Sequence, residues 1–457
     1  WDDRSRLVSL RHAQGTATLA GYDWGFDAAG RLTSFSSLLD GTATYAYDPT
    51  DQLVGATYST TATQPPAQAA ETYAYDGNGN RTGAGFVTDA NNHTVADGTY
   101  TYEYDGEGNR IRRVEVATGI VTEYAWDHRN RLTRVTEKPS ATSPPSQYVE
   151  FAYDALDRRV SKSIDADADG TVDRVTYFVV DGLRSDNDGA GDHVLLTLTD
   201  PDGPSGPAAA AVDHRYLHGP AVDQILADEQ VESGSTPPTS RVLWTLTDHQ
   251  NTVRDLAARD AATGVTTVVA HRQFDSFGEM TAAVNPSDPS ASVVDTLFGY
   301  TGREFDPETG LAYVRARYYD AALAQFVNED PLGFAAGDAN IRRYVGNHAT
   351  YAVDPSGLEE ATYRKFAQWI TPFVLPKALA RFEASLLEDA EQGLRARHHE
   401  RSAEVTSFLR QMAQKVEGLY DSTNALLSYE TATGLREQFV GARDKAAVSR
   451  KALRESE

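Results

Sequence analysis

The feature that most limits how this chain can fold is a short unit, aromatic–x–aromatic–Asp, that recurs along it as far as residue 154. The copies are Trp24-Gly25-Phe26-Asp27, Tyr45-Ala46-Tyr47-Asp48, Tyr73-Ala74-Tyr75-Asp76, Tyr102-Glu103-Tyr104-Asp105, Tyr124-Ala125-Trp126-Asp127 and Phe151-Ala152-Tyr153-Asp154. Aromatics at i and i+2 leave the same face of a strand, and an Asp followed by polar residues, glycine and an Arg opens a turn. Successive Asp positions are 21 to 29 residues apart, room for one hairpin. A lone hairpin cannot bury its aromatic face, so each unit must stack on its neighbours. The pattern predicts a mainly β chain built as an antiparallel hairpin array; the plainer alternative is an ordinary antiparallel β domain.

Trp1–Leu7 repeats the pattern of Trp126–Leu132, so the sequence is expected to begin inside a repeat, with further repeats upstream. Without them an open strand edge would be left at residue 1. The pattern loosens between about 180 and 240, where Asp200–Pro204 and Gly234–Pro238 read as surface loops. From about 363 the apolar spacing becomes helical, with Phe366, Trp369, Ile370 and Phe373, then Val405, Phe408, Leu409, Met412, Val416, Leu419 and Tyr420. Three regions are therefore predicted: a β-repeat region over 1–240, the end of the array with a closing core over 241–358, and a small α-helical segment over 359–457.

Charge marks the last boundary independently. Residues 1–358 hold 27 Lys and Arg against 51 Asp and Glu, whereas residues 359–457 hold 15 of each. So acidic a body repels a phosphate backbone, and nucleic-acid binding by the β region is not expected. The absence of cysteine removes disulfides, cysteine–zinc sites and cysteine nucleophiles together. No apolar run reaches the length of a membrane span, and Trp369–Leu375, apolar and aromatic, is shorter than a span and reads as a helix of the tail.

The second half carries an ordered set of motifs. Thr245–Leu256 includes Asp248-His249, and it is followed by Gly299-Tyr300-Thr301-Gly302-Arg303-Glu304, Asp306-Pro307-Glu308-Thr309-Gly310-Leu311, Tyr313–Asp320, Phe326–Gly333, Tyr344–Asn347 and Asp354-Pro355-Ser356-Gly357-Leu358. In order and spacing this series resembles the Rhs-associated core, and with the Tyr-Asp units the resemblance to Rhs-type tyrosine-aspartate repeat proteins covers nearly all of residues 1–358. That family includes bacterial polymorphic toxins, C components of insecticidal toxin complexes and distant teneurin relatives. The resemblance implies a spiralling β-shell closed by its core, a secreted or cell-surface protein whose export signal lies upstream, the chain's own C-terminal segment as cargo, and an immunity protein if that segment is toxic.

The same resemblance implies that the core is an internal aspartyl protease, with Arg317, Asp330 and Asp354 as its residues and scission between Leu358 and Glu359. Physically, two carboxylates held close do not both ionise, so one serves as acid while the other activates water. Arg317 would hold one carboxylate ionised or stabilise the oxyanion. On its own chemistry, without the resemblance, Asp-Pro-x-Gly reads as a type I turn rather than a catalytic motif. Asp306 is expected to shape a hairpin turn and Asp320 to end a Tyr-Asp strand. A non-catalytic surface or adhesion scaffold with a helical docking tail is the alternative.

Two other clusters stand out. Asp165, Asp167 and Asp169, with Gly170 and Asp173, alternate as in a calcium loop, but Thr176 replaces the bidentate Glu of an EF-hand, so a simple calcium-stabilised turn competes with an acidic hairpin loop. His398, His399, Glu400 and Glu404 lack the histidine spacing of a zinc protease and read as a solvated helix face. No other cofactor is implied, and nothing in the tail specifies an activity.

Overall fold

The computed structural model of the chain describes residues 1–59, 65–83, 85–181, 192–232, 239–358 and 361–362. The expected helical segment, with the histidine cluster at 398–404, lies outside these residues apart from Ala361–Thr362, which form a short strand.

Two large antiparallel sheets carry the array. The first has six strands, from Ser9–Gln14 to Glu71–Thr72, and the second sixteen, from Phe86–Thr88 to Met280–Val284. In both, every strand pairs with its neighbour in sequence, as short connections demand. The second sheet continues through the stretch where the aromatic pattern loosens, and the division expected at 240 falls inside the strand Thr239–Thr247, which pairs with Ile225–Glu232.

Each Asp of the repeat makes the same turn. The Asp27 N–H donates to Arg31 O, the Gly30 N–H donates to Asp27 O, and Asp27 Oδ1 accepts the Arg31 N–H. The turns at Asp48, Asp76, Asp105, Asp127, Asp154 and Asp248 share these bonds. The third residue after each Asp has positive φ, and it is Gly, Asn or Asp in all of them, the types that tolerate this region. In four of these turns the fourth residue also stitches its turn to a later one: Arg31 Nη1 to Asp51 Oδ1 at 2.9 Å, Asn80 Nδ2 to Asn92 Oδ1 at 2.8 Å, Asn109 Nδ2 to Asn130 Oδ1 at 2.9 Å and Arg131 Nη1 to Asp157 Oδ1 at 2.8 Å.

The residue before the Asp has its own task. The hydroxyls of Tyr47, Tyr75, Tyr104 and Tyr153 and the indole N–H of Trp126 donate to the carbonyls of Leu32, Leu53, Thr94, Leu132 and Arg110, at 2.6 to 2.8 Å. Each acceptor follows the Asp of the preceding turn by five residues. The Tyr-Asp pair thus ties its own turn with one side chain and the previous strand with the other.

The earlier aromatic of each unit supplies the core. Trp24, Tyr102, Tyr124 and Phe151 are buried, each contributing roughly 2 kcal/mol of apolar burial. The first sheet packs against strands near the end of the second, sharing a cluster of Tyr22, Trp24 and Phe35 with Leu246, Ala257 and Val268. His12 Nε2 meets Thr247 O at 2.8 Å across this seam. There too His271 lies between Asp255 (2.6 Å) and Asp40 (2.8 Å), and these carboxylates raise its pKa to about 10 against the effect of burial.

Candidate active site

After the second sheet the chain forms a separate four-stranded sheet, Glu304–Asp306, Leu311–Val314, Arg317–Asp320 and Gln325–Phe326. Its Leu311, Tyr313, Tyr318 and Val327 pack against Tyr124, Leu132 and Phe151 of the repeats. Polar side chains fix the later segments onto the repeat turns: Asn340 Nδ2 donates to Asn80 Oδ1 at 2.8 Å, and Asn347 Nδ2 to Gln52 Oε1 at 2.8 Å and Gly79 O at 2.9 Å. The Asp248 turn holds the stretch leading into Asp354, with Gln250 Nε2 donating to Ala349 O and Ala352 O and His249 Nε2 at 3.0 Å from Thr350 O.

A buried ionic network reinforces this seating. Arg159, on a repeat strand, pairs with Glu304 and Asp306, and Lys162 bridges Asp306 (3.1 Å) and Glu308 (2.8 Å). Although Asp306 is fully buried, these cations hold its pKa below the usual carboxylate value, outweighing desolvation. Asp306 also shapes a hairpin turn, its carbonyl accepting the Thr309 and Gly310 N–H groups. Asp320 ends its strand in a buried pair with Arg110 at 2.7 Å. The sequence pattern anticipated the positions of both Asp residues but not their ionic partners, which come from residues some 150 to 200 positions away.

The three residues named for scission meet. Arg317 Nη2 lies 3.0 Å from Asp330 Oδ2 and 3.0 Å from Asp354 Oδ2, so one guanidinium nitrogen is shared by two carboxylates. All three side chains are buried. Arg317 Nη1 donates to Ile341 O at 3.2 Å, its Nε donates to Gly357 O, and the guanidinium lies over the Phe326 ring at 3.6 Å. Burial pushes the Arg317 pKa below the usual guanidinium value, against the opposing pull of Asp354 and Asp330.

Asp354 also makes its turn. Its Oδ1 accepts the N–H groups of Gly357 (2.8 Å) and Leu358 (3.1 Å), while Oδ2 serves Arg317. Gly357 sits at φ +73°, and a Cβ there would stand 2.2 Å from Val314 O. Turn and ion pair are therefore one structure: glycine lets Asp354–Leu358 lie on the Val314–Arg317 hairpin. The Gly357–Leu358 peptide is gripped at both ends, its carbonyl by Arg317 and its N–H by Asp354. Ala352–Val353 pairs with Ala361–Thr362, so the chain reverses between these two short strands; Glu359 lies outside the described residues. Leu358 lines a cavity of about 470 Å³ with Ser356, Pro331, Asn328, Tyr318 and Tyr153.

In the acidic loop, the carboxylate oxygens of Asp165, Asp167 and Asp173 lie within 4.8 Å of one another. Asp169, expected in that set, instead directs its Oδ1 to the Thr171 N–H at 2.7 Å. Asp165 accepts the Asp169 and Gly170 N–H groups and Asp173 the Ala166 N–H, bonds that a tight acidic hairpin loop makes by itself.

Comparison with known proteins agrees with this architecture. The family model described as Teneurin YD-shell matches residues 1–181. The tRNA nuclease WapA of Bacillus subtilis (strain 168) is 28% identical over 297 residues, 62% of this chain and 11% of that protein. The double-stranded DNA deaminase toxin A of Burkholderia cenocepacia (strain H111) is 28% identical over 349 residues, 74% of this chain and 22% of that protein. The chain thus spans less than a quarter of either relative. Among solved structures, a Photorhabdus luminescens Tc holotoxin pore superposes with a TM-score of 0.57 at 18% identity, over 78% of this chain and 18% of that one, and the TcdB2–TccC3–Cdc42 structure with 0.53 at 19%, over 75% and 17%. At these identities the solved structures speak for the fold alone. The Tyr-Asp turn ladder and the core segments seated on it agree with these matches: residues 1–181 match the teneurin YD-shell model, and the chain is similar to Rhs-type and WapA-type proteins.

Proposed function

We propose that this chain is part of an encapsulating shell whose core cuts its own backbone between Leu358 and Glu359, freeing residues 359–457 as cargo. The observation that carries the reading is the single Arg317 nitrogen shared by Asp330 and Asp354, with Asp354 also bonded to the Leu358 N–H. In the step proposed, water adds to the Leu358 carbonyl carbon and passes a proton to the ionised carboxylate. The protonated carboxyl gives its proton to the Glu359 nitrogen as the C–N bond breaks. Arg317, bonded to both members of the pair, stabilises whichever carboxylate is ionised before and after the exchange of protons, and it pins the adjoining Gly357 carbonyl.

Relatives named for nuclease and deaminase toxin activities support a toxic effector as cargo; such a cargo would act outside the producing cell, which an immunity protein would protect. A second reading, an uncut surface scaffold, draws on the fact that Asp354 uses both oxygens in bonds that stabilise the turn.

Intact mass under denaturing conditions separates the two. The wild-type chain is expected as two pieces parted after Leu358, and the Asp330→Asn and Asp354→Asn chains as one. A wild-type chain found whole would hand the core over to the scaffold reading.

A further inference from the structure

Asn328 stands beside the dyad and takes no part in the scission as described above. The core strands Arg317–Asp320 and Gln325–Phe326 pair with Tyr319 opposite Phe326, and the Val327 N–H donates to Tyr318 O at 2.9 Å. The same register, carried on, sets Asn328 opposite Arg317, and facing residues of an antiparallel pair project from one face. Phe326, two residues before Asn328, already stacks on the Arg317 guanidinium, which confirms the face. Asn328 is held rigidly, between the Val327 bond and that of the Asp330 N–H to Ile341 O at 3.0 Å.

Its side chain is nevertheless unspent. Asn328 is 1% exposed, and its buried Oδ1 has no hydrogen-bond partner. A buried carbonyl oxygen without a donor is costly, and it is accounted for by strain, by a water or ion that it holds, or by a functional role. Arg317 does not supply the donor, since its bonds go to Gly357, Ile341 and the two Asp residues. Asn328 also borders the cavity that holds Leu358, Ser356 and Pro331. A rigid, unpaired acceptor beside two carboxylates, on a cavity reached by the chain to be cut, suits a small donor with one proton to spare.

We infer that Asn328 is a positioning residue for the hydrolytic water. Its Oδ1 accepts one O–H of that water while the ionised carboxylate of the Asp330/Asp354 pair accepts the other, which aims a lone pair at the Leu358 carbonyl carbon. In the attack the proton facing the carboxylate is transferred. The proton facing Asn328 stays on the oxygen that becomes part of the new carboxyl group, and the departing Glu359 nitrogen is protonated by the other Asp. The inference rests on the scission proposed above and adds to it the group that orients the nucleophile.

The test uses the full chain with Asn328→Leu, which keeps the branched outline of the side chain but lacks the acceptor. Cleavage is followed in time during cell-free translation, and thermal unfolding is measured in an Asp330→Asn background so that every chain compared is whole. Losing an oriented nucleophile is expected to slow scission about 10- to 100-fold, while removal of an unpaired buried oxygen leaves the melting temperature unchanged or raises it. A structural role would move both the same way, so slower cutting with a lower melting temperature overturns the inference. Cutting at the wild-type rate also overturns it, with the dyad left standing. A wild-type chain that is never cut removes the inference and the scission together. Should Leu not fit, Asn328→Ala has the same two readouts and the same expectations.

Discussion

Arg159 of the repeat wall and Asp306 of the core form an ion pair in which neither side chain has any exposure to solvent. Pairs of this kind contribute little as substitutes for apolar packing but cost a great deal when only one partner is removed. Asp306→Ala would leave Arg159 to Glu304 and Lys162 to Glu308. We expect a loss of about 3 kcal/mol, read by denaturant unfolding, and a smaller loss for the double change Arg159→Met with Asp306→Leu. Because Asp306 has its folded pKa depressed, its contribution is present above the unfolded carboxylate pKa and is lost as pH falls through the folded value. Acid unfolding of Asp306→Ala should therefore be less steep below about pH 4.

His218 introduces a second acid dependence of a different origin. It is buried against His193, with ring centroids 4.5 Å apart, and desolvation, followed by the neighbouring His193, lowers its pKa to about 3. Between the unfolded value of about 6.5 and that folded value, the unfolded chain binds a proton that the folded one does not. Stability consequently falls as pH drops from 6.5, by at most roughly 1.4 kcal/mol per pH unit from this group. His218→Asn should flatten the melting temperature against pH between 6.5 and 4; an unchanged slope would assign the effect to other groups.

The phenol of Tyr153 donates to Leu132 O and also meets Tyr318 Oη at 2.9 Å, joining one repeat both to its predecessor and to the core. Tyr153→Phe keeps the ring and orphans a carbonyl. A loss of about 1 to 2 kcal/mol is expected, larger than for Tyr75→Phe, whose hydroxyl bonds Leu53 O. Chemical denaturation of the two variants in parallel measures the difference.

Gly357→Ala tests whether the turn and the dyad form one unit. A methyl group at φ +73°, aimed at Val314 O, must lift Asp354–Leu358 off the hairpin that carries Arg317. The expected outcome is an uncut chain with a stability loss of only about 1 to 3 kcal/mol, seen as a single intact mass and a modestly lower melting temperature. Efficient scission in this variant would show that Asp354 does not need its turn.

The sequence already displays the β-hairpin array, because the aromatic spacing and the Asp turn are local and strictly repeated. The tyrosine hydroxyl bonds could not be read there: the acceptor is a backbone carbonyl of the previous unit, so it leaves no residue signature. Arg317, Asp330 and Asp354 were picked out through a family resemblance, and their meeting depends on a hairpin register and on Gly357, neither visible in the spacing of the three. Arg159 appeared only as another repeat arginine, since its partners lie about 150 residues away. Asn328 sent no signal, for an asparagine before Asp-Pro is unremarkable until its burial is known. In the acidic loop, the sequence named Asp165, Asp167, Asp169 and Asp173 together, and the fold gathers the carboxylates of Asp165, Asp167 and Asp173 while Asp169 turns to the Thr171 N–H.

The turn-to-turn stitching also bears on the order of events in time. Strands that pair only with sequence neighbours can form one after another as the chain emerges, each new hairpin templated by the last. The seam contacts, His12 with Thr247 and Tyr22 with Asp255, must wait until more than two hundred residues have been added, and the core rests on turns from both sheets. Arg317, Asp330 and Asp354 thus come together only after the wall they rest on exists. Under the scission proposed, chemistry placed at the last-formed contacts acts as its own checkpoint: a full-length chain whose seam is broken by Tyr22→Asp should stay whole although all three core residues are present.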